Sequence, residues 1–449
     1  MPFDERQFPT TRQETITVLA RVEREPELRT ALAAVPSSLF GDPALGIHFA
    51  RLAVIPPDEN LTGSAAWLAL ESNFDTTVPV SGGAGEDAAR AAHLDALAAV
   101  IGGALGPLFE ACAGFPPVRG ALRTQDLAAY WKDHLVASTA SYQGHSNRDL
   151  TRIFLEQRLR DVIMTYLEKA DVGSPQDLFD RIRKHVRECA RTDPRLAGLD
   201  IDAPAPALPD PDVRSEHLRE GWAPWLKASK LKDAVPIVLR VPEAVLEWDR
   251  KDVVYDVRGH QEKWTPADRR SFSAIAATED HGTQNALTHV VSLRRGHGRL
   301  EVLKHAHATV DRISKEHFQF IGQLGRIPSI HFAKWLLFES DQRLLFLSNY
   351  DKSWESYLGD FVDKAPEGLN LAWSCTEEYP RTHAFAFDGA KDEETFKAWS
   401  RACQVPTQIF YSAYGDLTIE IINNSTWIRH RLHQPADAGG LDAWFRRLT

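Results

Sequence analysis

The sequence has few cysteines, and they stand far apart. Four occur in 449 residues, at Cys112, Cys189, Cys375 and Cys403, and no two have the close spacing of a zinc ligand pair or a redox motif. The spacing therefore predicts free thiols in a reducing compartment. The charged start of the chain, residues 1–8, is not typical of a secretory signal. A cytoplasmic location is expected from these two observations.

Basic residues are outnumbered, and a long apolar run is not evident. The chain has 52 Lys and Arg against 62 Asp and Glu, a net charge of −10. Nucleic-acid-binding proteins usually carry a clustered basic face, so a nucleic-acid partner is not expected. No transmembrane segment is expected either. Residues 221–232 (GWAPWLKASKLK) pair tryptophans with lysines, which indicates either peripheral contact with a membrane surface or simple packing of one face.

Several motifs that identify enzyme classes are missing. The chain has no HExxH, no Walker loop, no Gly-x-Ser-x-Gly and no Cys-x-x-Cys-His haem attachment. Residues 82–85 (GGAG) lack the third glycine of a dinucleotide fingerprint. His305 and His307 stand two apart in a predicted helix and point about 200° from each other, so they cannot chelate one ion. No metal ligand set can be named from spacing.

The sequence does contain a repeated phrase. Near the start, residues 47–52 (IHFARL) are followed by residues 71–75 (ESNFD); near the end, residues 330–335 (IHFAKW) are followed by residues 347–351 (LSNYD). After each phrase come, in the same order, a helical stretch, an aromatic–proline step, a second helix, and a tyrosine-containing strand with an Asp-Leu-Thr turn. This shared order predicts a duplicated domain.

The second copy predicts the order of elements in each unit. Ile330–Phe338 and residues 343–350 are β-rich and are separated by Glu-Ser-Asp-Gln, which is typical of a hairpin. Further strands are predicted at residues 369–374, 382–387 and 407–413. The resulting β-β-α-β-β-α-β order predicts a ferredoxin-like α+β unit with an extra strand. Two such units side by side predict a pseudo-dimeric α+β barrel with a helical and mixed insertion between them.

Four regions follow from this interpretation. They are a first ferredoxin-like unit with an N-terminal helix (1–170), a helix and proline-rich linker (171–215), a mixed middle region (216–325) and a second ferredoxin-like unit (326–449). The linker contains residues 202–211 (DAPAPALPDP), where repeated prolines favour extended backbone. The middle region includes a strand-like stretch at 290–293.

The repeated phrase supplies one set of candidate site residues. Asp351 and Asn349 lie where a predicted strand ends, and a carboxylate there can reach a pocket, although helix capping and a turn are simpler roles. His331 opens the preceding strand, as His48 does in the first copy. Lys334 stands three positions after His331 and is expected to face the opposite side of a regular strand.

The densest polar cluster lies between the copies. Residues 278–285 (TEDHGTQN) and His289 bring carboxylates, amides and histidines together before an apolar strand. Asp280, Asn285 and His289 could supply acid–base groups and substrate hydrogen bonds. A solvated turn is the equally supported alternative.

The duplicated unit resembles the dimeric α+β barrel superfamily, over about residues 44–160 and 326–430, by topology more than by motif. That superfamily includes dye-decolourising peroxidases and chlorite dismutases, alongside monooxygenases that need no metal. The resemblance implies a peroxidase-like haem oxidoreductase for a small organic substrate, in which Asp351 is the distal acid and Arg381 the distal cation. Asp351 here lies in Ser-Asn-Tyr-Asp-Lys, without the glycines of the peroxidase Gly-x-x-Asp-Gly motif, and no axial histidine can be matched.

Two other functions stay open beside the haem enzyme. One is a cofactor-free enzyme of the same fold, working with Asp, His and Tyr411 in one barrel. The other is a non-catalytic binding or scaffold protein, whose barrel would be filled with side chains. Membership of this superfamily is also compatible with a homo-oligomer.

Overall fold

The computed structural model describes two long ranges of the chain, 13–202 and 273–448. The proline-rich linker from residue 203 onward, the tryptophan–lysine stretch 221–232 and most of the predicted middle region lie outside the described residues. Within the two ranges the short gaps are 79–82, 117–122, 145–147, 172, 274, 278, 295, 297, 317–323, 325–326, 384, 386 and 434–437.

The described chain is mixed α+β, with two four-stranded antiparallel sheets. The first sheet contains β1 (Gln13–Arg21), β3 (Trp67–Asp75) and β2 (Ile47–Ile55) in that spatial order. Its fourth strand, β10 (Ile409–Ser412), comes from the far end of the chain and pairs with β2. This sheet is therefore completed by the second half of the sequence.

The second sheet has the same arrangement with the halves exchanged. It contains β5 (Gln284–Ser292), β7 (Arg343–Asp351) and β6 (Ile330–Phe338) in spatial order. Its fourth strand, β4 (Ala140–Gln143), comes from the first half and pairs with β6. Each half of the chain thus supplies an edge strand to the sheet of the other half.

Helices cover the outer faces of the sheets and form a third core of their own. Three pack on the first sheet: α1 (Glu25–Ala33), α2 (Gly83–Phe109) and α3 (Thr124–Asp133). Four pack on the second: α6 (Arg299–Glu316), α7 (Trp354–Lys364), α8 (Pro366–Trp373) and α9 (Glu393–Cys403). The separate helical core contains α4 (Leu150–Leu167), α5 (Pro175–Thr192), α10 (Ile419–Leu432) and α11 (Ala438–Leu448).

The segments before β4 and β10 each cross from one sheet to the other. Before β4, the Val136 N–H donates to the Thr17 carbonyl of β1 at 2.9 Å. Before β10, the Val405 N–H donates to the Thr288 carbonyl of β5 at 2.9 Å. The outer edges of the two sheets are therefore joined on both sides by equivalent backbone hydrogen bonds.

The predicted hairpin of the second copy is confirmed. Its strands are β6 and β7, and every residue of both strands is buried. The turn between them contains Glu339, Ser340 and Asp341, all with positive φ. Short polar residues tolerate that backbone best, which explains why Ser and Asp occur here.

Two predicted strands of the second copy are wrong. Residues 369–374 lie largely in helix α8, because Pro366 suits the first turn of a helix and Leu369, Ala372 and Trp373 bury one helical face. Residues 382–387 supply only the two-residue strands β8 (Thr382–His383) and β9 (Phe387–Asp388), which pair with each other outside the main sheets.

The predicted element order omits the first strand of each unit. β1 precedes α1, and β5 includes residues 290–292 of the stretch 290–293 that was assigned to the middle region. Both strands are buried on both faces, so they lack the alternation that marks a half-exposed strand. The boundary drawn at residue 326 consequently divides β5 from the sheet to which it belongs.

Helix α2 is longer and more apolar than the sequence interpretation allowed. By length and composition its segment Gly85–Phe109 could cross a membrane, with a mean hydropathy of 1.5 in its most apolar window. In the structure 56% of that window is buried, and Leu94, Leu97 and Leu105 pack in the core of the first sheet. Such burial is typical of a core helix, and among the described residues no other helix has this length and composition.

Candidate functional site

Two His–Asp pairs lie between the sheets. The Nε2 atom of His331 is 2.7 Å from Oδ1 of Asp351, and the Nε2 atom of His48 is 2.7 Å from Oδ1 of Asp75. Both histidines and Asp351 are buried, whereas the Asp75 side chain is 21% exposed. The repeated phrase of the sequence therefore builds the same contact twice.

A β-bulge turns each histidine toward the opposite sheet. The register of the β2–β3 pair shifts between Ile47 and Phe49, and that of the β6–β7 pair shifts between Ile330 and Phe332. The extra residue places His331 and Lys334 on the same side of the strand, where both contact the first sheet. The prediction that they face opposite sides is wrong because it assumed a regular strand.

Each aspartate also binds the first turn of a helix. Asp351 Oδ2 accepts a hydrogen bond from the Ile419 N–H at 2.7 Å, and Asp75 Oδ2 accepts one from the Leu150 N–H at 2.8 Å. Negative charge is stabilised at a helix N-terminus. These contacts therefore hold the start of α10 at the end of β7 and the start of α4 at the end of β3. The cap of α7 is Ser353, which accepts from the Ser356 N–H.

Two glutamines, at the starts of the edge strands β1 and β5, also bind the chain near the beginnings of α4 and α10. Gln284 Nε2 donates to the Leu417 carbonyl at 3.1 Å, and Gln13 Nε2 donates to the Arg148 carbonyl at 2.6 Å. These carbonyls stand two residues before the first residues of α10 and α4. The Asp-Leu-Thr turns that suggested the repeat are offset by two residues, because Asp149 caps α4 whereas Thr418 caps α10.

Tyr414 joins the two His–Asp pairs and was missed in the sequence. Its hydroxyl contacts Nδ1 of His48, and its ring stacks on His331 with centroids 5.2 Å apart. The predicted residue, Tyr411, packs on the helical side of the first sheet near Gly41. Burial raises the pKa of both phenols. The sequence interpretation selected Tyr411, which lies within β10, whereas Tyr414 follows the end of that strand at Ser412.

A buried cluster of charges forms the next layer between the sheets. Arg51 Nε contacts the Glu71 carboxylate, and Lys334 Nζ lies 3.2 Å from its other oxygen. Arg51 donates to the Leu287 carbonyl at 2.7 Å, while Lys334 donates to the Ile16 carbonyl at 2.8 Å. Arg51 of the first sheet thus binds a carbonyl of the edge strand β5, and Lys334 of the second sheet binds the carbonyl at the matching position of the edge strand β1.

Burial and charge act against each other in this layer. Burial lowers the pKa of Lys334 to about 8, although Glu71 favours its charged form. Burial opposes ionisation of Glu71, yet Arg51 and Lys334 hold the pKa of its carboxyl below the ordinary value. Asn349, a predicted site residue, belongs to this layer, because its side-chain oxygen accepts from Arg51.

The polar cluster between the copies holds helices in place. Asp280 accepts from the Trp354 N–H at the start of α7, and Asn285 donates to the Lys352 carbonyl at 2.8 Å. His289 Nε2 lies 3.0 Å from the Ser400 hydroxyl of α9, on the helical side of the second sheet. His289 is therefore on the other face of the sheet from His331.

The expected partnership of Asp351 with Arg381 is not formed. The side-chain hydrogen bonds of Asp351 go to His331, Ile419 and Gln284. Arg381 is exposed and lies just before β8. The structure therefore brings together His331, Asp351 and, one layer away, Asn349, but not Arg381, Tyr411, Asp280, Asn285 or His289.

Three of the buried histidines described have surroundings that leave no room for haem iron. Both ring nitrogens of His48 and of His307 already have polar partners, and His289 is enclosed by Trp373 and Trp399. Two cavities bounded by described residues have no histidine in their described lining. That part also contains no group of three or more His, Cys, Asp or Glu able to hold a metal ion.

The two cavities differ in what surrounds them. The larger, of about 590 Å³, lies among turns at one end of the sheets, next to Asp58, Ser292 and Asp341. The smaller, of about 210 Å³, lies where β1 meets the second sheet. Its lining includes Thr15, Thr17, Asp87, Arg90, residues 135–138, Lys334 and Leu336.

One hydroxyl beside the smaller cavity lacks a partner. The Thr17 hydroxyl is buried and, among the described atoms, makes no hydrogen bond. Its neighbour on the same face of β1, Thr15, accepts from Lys334 and donates to the Ser72 carbonyl at 3.3 Å. A buried hydroxyl without a partner is unfavourable, so a rotation of the Thr17 side chain that brought its hydroxyl to a ligand or water atom in the cavity would be favoured.

No protein-family model, no curated protein and no solved structure matches the chain.

Proposed function

We propose that the chain is an internally duplicated, pseudo-dimeric α+β barrel. The exchange of β4 and β10 supports this, because each unit completes the other as two subunits of a dimer would. The equivalent His–Asp–helix contacts, made by His48 with Asp75 and by His331 with Asp351, support it independently.

A further matched contact lies on the helical side of each sheet. In the first unit, Ser72 bonds His93 at 2.9 Å and the His93 ring stacks on Phe74. In the second, Ser348 bonds Tyr357 at 2.7 Å and the Tyr357 ring stacks on Tyr350. Side chains of different type fill the same places, as expected for two copies that have diverged.

For function, we propose that the barrel binds a small organic molecule in the cavity beside Lys334, using protein side chains alone. The single observation that carries this proposal is the cavity of about 210 Å³ next to a buried amine and an unsatisfied hydroxyl. His–Asp pairs, the Arg51–Glu71–Lys334 cluster and an apolar layer also lie between the sheets. This assignment shares the absence of a cofactor with the cofactor-free enzyme expected above, but it involves Lys334 and Thr17 in place of Asp, His and Tyr411 and proposes binding only.

The proposal is tested with a library of small organic molecules on the full-length protein. We expect ligand-detected NMR to find saturable binders that Lys334→Arg no longer binds, because the longer side chain would fill the cavity. Lys304→Arg, on the exposed surface of α6, is the matched control and keeps them. Binders unaffected by Lys334→Arg, or a library without binders, would contradict the proposal.

A peroxidase-like haem oxidoreductase stays the competing prediction. Titration with hemin distinguishes the peroxidase from the cofactor-free binding protein, because haem proteins show a Soret band at about 400 nm when the iron is ligated. We expect no saturable band, since His48 and His307 use their ring nitrogens in hydrogen bonds and the His289 ring is packed against Trp373 and Trp399. Saturation at one haem per chain would replace our proposal with the peroxidase.

A further inference from the structure

The buried charge cluster contains one more cation than anion. Arg51 stands directly opposite Glu71 in the β2–β3 pair. At the equivalent place in the β6–β7 pair, Lys334 stands opposite Leu347. Arg51 and Lys334 therefore share the one carboxylate of Glu71, where two equivalent units would each provide one.

An unbalanced charge is costly between two sheets. Lys334 and Glu71 have side chains 3% and 1% exposed, so water screens them little. The ammonium has three acceptors, from Glu71, Thr15 and the Ile16 carbonyl, of which only Glu71 is charged. A second carboxylate close to Lys334 would balance the cluster.

The cavity lies where that carboxylate would be needed. In the other half of the chain, the equivalent hydroxyl of Thr288 contacts Arg51 at 3.2 Å and Thr407 at 3.0 Å. Lys334 is shorter than Arg51, which leaves the Thr17 hydroxyl without a partner and the cavity beside it. The volume equals about seven water molecules at liquid density, enough for a small organic acid.

Other charges near the cavity do not supply the missing anion. On α2, Arg90 lines the cavity and is paired with Glu14, Glu86 and Asp87 at 3.1–3.3 Å. Asp87 is 78% exposed, so solvent screens it. Glu14 is already paired with Arg90, and burial raises the pKa of its carboxyl.

We infer that the ligand of this cavity is a small monocarboxylate, whose carboxylate accepts hydrogen bonds from Lys334 and Thr17 while its apolar part lies against Leu336 and residues 135–137. One carboxylate oxygen would take the place of the Thr15 hydroxyl as an acceptor of Lys334. The inference rests on the proposed binding function and adds the chemical class of the ligand.

The first experiment compares a carboxylate with its neutral isostere. Benzoate and benzamide, then butyrate and butyramide, are titrated into the full-length protein by calorimetry. We expect saturable binding of a carboxylate, with the amide weaker on the order of tenfold or more, because the amide does not balance the buried cation. If amides bind as well as carboxylates, the carboxylate inference is overturned while the cavity remains a binding site. If none of the four binds while the library of small organic molecules yields binders, the carboxylate inference alone is overturned. If the library yields no binders either, the proposed function is overturned too.

Two variants locate the site within the cavity. Leu347→Glu supplies the missing carboxylate from the protein and is expected to abolish carboxylate binding. Lys334→Arg keeps the positive charge but fills the cavity, and it serves if Leu347→Glu does not fold. Lys304→Arg is the control and leaves binding unchanged. Undiminished carboxylate binding in Lys334→Arg would overturn the assignment.

The pH dependence gives a second readout. The carboxylic acid is ionised above about pH 5, while the pKa of Lys334 is about 8 before a ligand adds its charge. Affinity is therefore expected to be highest between these values and to fall as the pH rises through 8 and above. The groups that face Lys334 are Glu71, Arg51 and Glu14. Constant affinity up to pH 10 would contradict a role for the Lys334 ammonium.

Discussion

Asp351 shows how one side chain can hold three elements together. It ends β7, bonds His331 at the start of β6 and accepts from the first N–H of α10. Asp75 does the same in the first unit but is partly exposed. These contacts are sufficient to explain why an aspartate stands at each position. We therefore expect both aspartates to stabilise the fold, whether or not they also have a chemical role.

Replacing these aspartates tests that structural role. Asp351→Asn is expected to lower the free energy of unfolding by about 3 kcal/mol, because a buried hydrogen-bonded charge is lost from a histidine and a helix end. Asp75→Asn should cost less, since its side chain is 21% exposed. Urea denaturation measures both, with the exposed Asp363→Asn as the control. Equal stability of Asp351→Asn and the control would contradict the structural role.

Two buried histidines make the stability depend on pH. Burial lowers the pKa of His93 and of His289 to about 3, so the folded protein keeps both rings neutral. The unfolded chain binds protons at about 6.5, so stability is complete above that pH and falls as the solution becomes more acidic. Between pH 7 and pH 5 each histidine should cost about 2 kcal/mol.

His93→Phe isolates one of these contributions. A phenyl ring can keep the stacking on Phe74 while removing the titrating group. The loss of stability between pH 7 and pH 5 should then be smaller by about 2 kcal/mol than in the wild type. Urea denaturation at the two pH values measures this difference, and an unchanged loss would show that His93 is not held neutral.

At the scale of elements, the exchanged strands depend on close backbone contacts. The Gly144 N–H donates to the His331 carbonyl just after β4, and the Ala413 N–H donates to the His48 carbonyl just after β10. The room for a Cβ atom differs between position 144 and position 413. A Cβ on Gly144 would lie 2.3 Å from the Ile330 carbonyl oxygen, whereas the second unit already has alanine.

Gly144→Ala should therefore loosen β4 from the second sheet. We expect a loss of about 3 kcal/mol, because the clash is with backbone that cannot turn away. Gly103→Ala, in the middle of α2 with open space around it, should instead gain about 0.5–1 kcal/mol from helix propensity. Thermal and urea unfolding compare the two variants. If Gly144→Ala is as stable as the wild type, the backbone of residue 144 lies farther from β6 than the structure shows.

At the scale of the whole molecule, the exchange of edge strands makes the two halves depend on each other. A protein cleaved between residues 202 and 273 should stay together, since β4 and β10 each remain paired in the other half. Both fragments should elute together in size-exclusion chromatography and unfold in one transition. Fragments that separate and unfold at different temperatures would contradict this interdependence.

Part of the site could be predicted from the sequence. The repeated phrase identified His48, His331, Asp75 and Asp351, because the same residues in the same order form the same contact in both halves of the chain. It could not show that Lys334 shares their side of the sheet, since a β-bulge leaves no local sequence signal here. Tyr414 was missed for a related reason, because its role depends on where β10 ends.

The sequence by itself determined the local elements and their repetition. Alternating and continuous apolar runs, turn residues and capping residues act over a few positions, so the β6–β7 hairpin and most helices follow from them. Only the tertiary structure decided which strands pair across the chain. β10 lies more than 300 residues from β2, and that pairing depends on two complete hydrophobic cores meeting, which no short stretch of sequence encodes.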